Sequence, residues 1–135
     1  MSQKVKIVLV DDHPLVREWL TNLLNQQADF HVCGETGNAP QALQLVESVR
    51  PDIAIVDITL AEGSGLELIK SIKSVHPDVA VLVLSMHDEL LYAERALRAG
   101  AGGYIMKSEA TQKVIQAVKG HDFEIELQFS NYRTV

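Results

Sequence analysis

The chain has 135 residues, with 12 Lys plus Arg against 18 Asp plus Glu and a net charge of -6, which suits one domain able to bury a core but offers no basic stripe for a phosphate backbone. DNA contact by this chain itself is therefore not expected. One cysteine, Cys33, excludes an intrachain disulfide; no run approaches the roughly 20 apolar residues that span a bilayer; and Met1-Ser2-Gln3-Lys4 opens no signal peptide, so a cytoplasmic location without membrane contact is expected.

Ile7-Val8-Leu9-Val10 is an apolar run of the kind that forms a strand buried on both faces, and it ends in Asp11-Asp12. Leu15, Val16, Trp19, Leu20, Leu23 and Leu24 then follow one helix face with Pro14 in the first turn, which puts Trp19 in the core. Residues 30–34 read as a short strand. Asn38, with Gln41 three residues on and Pro40 in the first turn, opens a second helix that turns Ala42, Leu43, Val46 and Val49 inward. Ile53-Ala54-Ile55-Val56 is the next buried run, and it ends in Asp57. Residues 59–65 form a loop whose Gly63-Ser64-Gly65 lacks the complete glycine patterns of phosphate-binding loops. Leu66, Ile69, Ile72 and Val75 mark a helix that Pro77 stops. The run 79–84 enters Ser85, a helix over 89–99 is capped by Gly100, and Gly103-Tyr104-Ile105-Met106 enters Lys107. A last helix covers 109–119, with Val114, Ile115 and Val118 inward.

This alternation predicts an α/β domain over residues 1–120, a five-stranded parallel sheet with helices on both faces. Residues 121–135 depart from it. Apolar and polar residues alternate from His121 to Ser130, so Phe123, Ile125, Leu127 and Phe129 share one face of an extra C-terminal strand. Such a strand either adds to an edge of its own sheet or pairs two molecules in a homodimer.

If the strands are parallel and adjacent, Asp11, Asp12, Asp57, Ser85 and Lys107 converge at the carboxyl edge, where open α/β sheets bind ligands. A carboxylate can attack phosphorus to give an aspartyl phosphate, once repulsion between the anions is overcome. Carboxylates suit Mg²⁺ for that task, a lysine ammonium can hold one phosphoryl oxygen, and a serine hydroxyl can hold another.

With these residues identified, the sequence resembles the receiver domain of bacterial two-component response regulators. The matching motifs are Val8-Leu9-Val10-Asp11-Asp12-His13-Pro14, Ile55-Val56-Asp57, Gly63-Ser64-Gly65-Leu66, Leu84-Ser85-Met86-His87-Asp88 and the segment from Gly100 to Lys107. Their wording looks most like the NarL/FixJ subfamily. The resemblance implies a flavodoxin-like (βα)5 fold with strand order 2-1-3-4-5. It implies that Asp57 accepts a phosphoryl group from a sensor histidine kinase, with Lys107 and Ser85 assisting. Mg²⁺ would be held by Asp11, Asp12, Asp57 and the Thr59 backbone carbonyl, Ser85 and Tyr104 would pass the signal on, and His87 would tune loss of the phosphoryl group. Such a protein is a signalling switch that catalyses only its own phosphoryl transfer and dephosphorylation. The subfamily usually controls transcription through a C-terminal helix-turn-helix domain, and residues 121–135 contain none. Ser108 follows Lys107 where many receivers have proline after a cis bond.

Two rivals stand beside this expectation. A haloacid dehalogenase-type Mg²⁺ phosphatase also forms an aspartyl phosphate, but it wants an acid two residues after the nucleophile, where this chain has Thr59. A pseudo-receiver that binds partners without phosphorylation is disfavoured by the intact acidic pair, Asp57, Ser85 and Lys107.

Overall fold

Strand-forming and helix-forming segments alternate in space as they do along the chain. A computed structural model describes residues 4–58, 65–85 and 90–119. Its elements are β1 (Val5–Val10), α1 (Pro14–Asn25), β2 (Phe30–Thr36), α2 (Ala39–Val49), β3 (Ile53–Asp57), α3 (Gly65–Val75), β4 (Ala80–Ser85), α4 (Leu90–Ala99), β5 (Gly103–Met106) and α5 (Ala110–Lys119). A 3-10 turn over Lys107–Glu109 leads into α5 and moves its start one residue later than expected. The strands are all parallel in the order β2-β1-β3-β4-β5, the expected flavodoxin-like arrangement.

Period-two alternation divides the core into two layers. Val8, Val10, Ala54, Val56, Val81 and Val83 face α2, α3 and α4, where Ala42, Val46, Leu68, Ile69, Ile72, Ala93 and Ala96 cover them. Ile7, Leu9, Ile53, Ile55, Leu82, Leu84 and Ile105 face α1 and α5, packing on Leu20, Leu24, Val114, Ala117 and Val118. The continuous apolar runs are thus explained. β3 lies at the centre of the sheet, and all five of its residues are buried.

Local signals act where expected. Asn38 Oδ1 accepts a hydrogen bond from the Gln41 amide at 2.9 Å, capping α2. Gly100 closes α4 at φ +114°, a conformation that side chains rarely adopt, while the Ala101 amide returns to the Ala96 carbonyl at 3.0 Å.

Several packing expectations are corrected. Trp19 is 40% exposed and Leu15 80% exposed, so Trp19 is not a core residue. The two lie four residues apart on one flank of α1, and only the neighbouring flank, with Leu20 and Leu24, reaches the sheet. Val75 is 59% exposed at the last position of α3, whereas Leu68 is buried. Cys33 is half-buried; its thiol lies 3.4 Å from the Ile7 carbonyl, and burial pushes it above the usual thiol range. The peptide bond between Lys107 and Ser108 is trans. Thr59, His87 and the expected strand within 121–135 lie outside the described residues. Among the described residues, no helix is long and apolar enough to cross a membrane.

Candidate phosphoacceptor site

Sheet register brings the polar strand tips together. Val10 pairs with Val56, so the next residues, Asp11 and Asp57, leave adjacent strands side by side. Asp57 itself pairs with Leu84, and Ser85 pairs with Met106, so Ser85 and Lys107 continue the same row across β4 and β5. Residues separated by up to 96 positions thereby share one edge, because all four strands run the same way.

The carboxylates there are sheltered. Asp57 is 1% exposed and Asp11 3%, and Ser85 beside them is fully buried. Lys107 Nζ stands 3.0 Å from Asp57 Oδ2 and 3.0 Å from Asp11 Oδ2. Burial alone would pull this ammonium down, but hydrogen bonds and the negative charges of Asp11 and Asp57 outweigh it and hold its pKa above the usual lysine value.

Three further residues shape the site without having been assigned a role from the sequence. The Arg17 guanidinium donates to the Asp11 carbonyl at 2.6 Å and to Glu35 Oε1 at 3.1 Å, while the Asp11 amide donates to the Thr36 carbonyl at 3.0 Å. The backbone that carries Asp11 is therefore held from both sides. Gly65, the first residue of α3, packs so closely that a Cβ there would come within 2.7 Å of the Ile58 carbonyl oxygen and 2.8 Å of the Asp57 carbonyl oxygen. His13 Nδ1 lies 2.8 Å from Asp11 Oδ1, 3.2 Å from Asp12 Oδ1 and 3.6 Å from Asp57 Oδ2. A sequence signal for His13 existed. Two residues past Asp11 in a chain leaving a strand extended, a side chain returns to the same side.

Donor atoms from Asp11, Asp12, His13 and Asp57 all lie within 4.8 Å of one another, a set that fits a divalent cation. Tyr104 is elsewhere. It is 2% exposed on β5, pairs with Val83, and belongs to the core layer shared with α4.

A family model for the response regulator receiver domain matches residues 7–119. The chain belongs to the response regulator receiver family. Relatives of this receiver include the transcriptional regulatory protein DegU of Brevibacillus brevis, 37% identical over 118 residues, covering 87% of this chain and 50% of that protein. The DNA-binding transcriptional activator DevR/DosR of Mycobacterium tuberculosis is also 37% identical, over 115 residues, covering 85% of this chain and 53% of that one. A two-component response regulator of the LuxR family from an Aurantimonas species superposes with a TM-score of 0.84 at 30% identity, covering 98% of this receiver and all of that chain. The signal receiver domain of NarL from Mycobacterium tuberculosis gives a TM-score of 0.78 at 32% identity, covering 87% of this receiver and 98% of that chain. The receiver spans about half the length of these curated relatives. Family membership displaces the haloacid dehalogenase-type phosphatase.

Proposed function

We propose that this receiver accepts a phosphoryl group on Asp57 from a phosphohistidine of a sensor histidine kinase, and that the modified domain signals through a changed surface. One observation carries this most: the Asp57 carboxylate is buried at the carboxyl end of the central strand, beside two further aspartates and in contact with the Lys107 ammonium.

In the forward step a carboxylate oxygen of Asp57 attacks phosphorus, and the P–N bond to the donor imidazole breaks. The bonding pair stays on the imidazole nitrogen, which takes up a proton, and an acyl phosphate remains on Asp57. Lys107, already 3.0 Å from Asp57 Oδ2, is positioned to follow the new negative charge onto a phosphoryl oxygen. Ser85 offers its hydroxyl from the adjacent tip of β4. Its withdrawal toward the phosphoryl group would loosen the packing between β4 and β5, where Tyr104 is the buried aromatic positioned to respond. In the separate dephosphorylation step water attacks phosphorus, the P–O bond to Asp57 breaks with its electron pair returning to the carboxylate, and inorganic phosphate leaves.

Asp11, Asp12 and Asp57, with the Thr59 carbonyl, are the residues that would hold Mg²⁺, which supplies positive charge to offset repulsion between carboxylate and phosphoryl group. The chain acts as a switch that modifies itself once per cycle, without turning over a metabolite. Regulators of transcription among its relatives support a cytoplasmic role in transcriptional control, with DNA contacted by a separate helix-turn-helix domain of a longer protein.

Incubation with acetyl phosphate and Mg²⁺, followed by intact mass spectrometry, tests the assignment. One phosphoryl group should appear on the parent and none on Asp57→Asn. Equal labelling of the two proteins would overturn it.

A further inference from the structure

His13 touches every carboxylate of the pocket, yet the phosphoryl transfer described above gives it no task. Its Nδ1 meets Asp11 Oδ1 at 2.8 Å and Asp12 Oδ1 at 3.2 Å. Neighbouring donors of an octahedral ion with bonds of about 2.1 Å are about 3.0 Å apart. The ring nitrogen and the two carboxylate oxygens are therefore already spaced as adjacent ligands of one ion. The same Nδ1 also lies 3.1 Å from Lys107 Nζ. An ammonium can only donate and an ionised carboxylate can only accept, so a single ring nitrogen cannot satisfy both neighbours. An ion among the carboxylates resolves this conflict by taking the nitrogen lone pair.

We propose that His13 is a further protein ligand in the cation site, and that it makes this receiver selective for divalent transition ions over Mg²⁺. This rests on the acidic pocket proposed above. Imidazole nitrogen is a poor partner for Mg²⁺, which prefers oxygen, but a good one for the later first-row ions such as Ni²⁺ and Zn²⁺. His13 is 47% exposed, and with Val16, Lys107 and Ser108 it borders an open pocket of about 500 Å³. The ring thus approaches the buried carboxylates of Asp11 and Asp57 from the solvent side. Asp11, Asp12 and Asp57 supply charge for any divalent ion, and His13 supplies the preference.

Calorimetric titration of the full chain with Mg²⁺, and separately with Ni²⁺, tests the proposal on the parent, His13→Phe, His13→Gln and Asp12→Ala. Asp12→Ala tests whether the ions bind at the acidic pocket. Replacing His13 should weaken Ni²⁺ binding by about ten-fold or more while changing Mg²⁺ affinity by less than about three-fold. Equal Ni²⁺ affinity in the parent and both His13 variants, with Mg²⁺ still bound, would remove His13 as a ligand and leave the acidic pocket standing. A parallel loss of Mg²⁺ and Ni²⁺ in the His13 variants would show a structural role instead and overturn the selectivity. If Asp12→Ala binds both ions as tightly as the parent, the acidic pocket is wrong and the proposal falls with it.

Discussion

Lys107 Nζ donates to Asp57 Oδ2 at 3.0 Å across 50 residues of sequence. Both groups lie in a sheltered cleft, where the Lys107 side chain is 12% exposed and that of Asp57 fully buried.

Lys107→Met should therefore cost about 3 kcal/mol of stability at neutral pH, the low end for removing one partner of a buried pair. It should also change the alkaline limb of the stability curve. The folded-state pKa of Lys107 is raised, so its contribution is fully present below the unfolded value of about 10.4 and is lost as pH rises through the higher folded value. Urea denaturation at pH 9 and at pH 11 measures this: the gap between parent and variant should narrow at the higher pH.

Asp12 is the most exposed of the three aspartates in the pocket, and its removal relieves repulsion at small packing cost. Asp12→Ala should melt above the parent in EDTA. Mg²⁺ at 100 times its dissociation constant should raise the parent by about 2.7 kcal/mol and the variant by much less. Thermal melts with and without the ion provide the comparison, and identical curves for the parent would argue against a shared cation site.

Gly65→Ala places a methyl group 2.7 Å from one backbone carbonyl oxygen and 2.8 Å from that of Asp57, so main chain must move rather than a flexible side chain. A loss of about 1–3 kcal/mol is expected, as for other overpacked sites. Because the displaced backbone carries Asp57, the rate of labelling by acetyl phosphate should fall as well. A variant with full stability and unchanged labelling would show that the close approach is unimportant.

On α1, neighbouring residues should respond very unequally to truncation. Leu20 is 1% exposed, so Leu20→Ala should cost about 2–5 kcal/mol, whereas Trp19→Ser, at a site 40% exposed, should cost about 1 kcal/mol or less. Equilibrium denaturation of both variants measures the contrast.

Four apolar runs ending in Asp11, Asp57, Ser85 and Lys107 determined, by themselves, a parallel sheet and the chemistry at its edge. A strand buried on both faces must be apolar throughout, so its polar end stands out even in a single sequence. Asn38 and Gly100 were legible for a similarly local reason: a cap is set by residues three or four positions apart. Only the tertiary structure decided which flank of α1 meets the sheet. The periodicity of Leu15, Val16, Trp19 and Leu20 describes a stripe wider than the contact, and the position of the helix on β1 selects Leu20 over Trp19. It likewise decided that Arg17 holds the Asp11 backbone, that Gly65 lies against the Asp57 carbonyl, and that the His13 ring turns into the carboxylates. Those relationships depend on distances between elements, and a linear pattern records the period of each element without the gap between them.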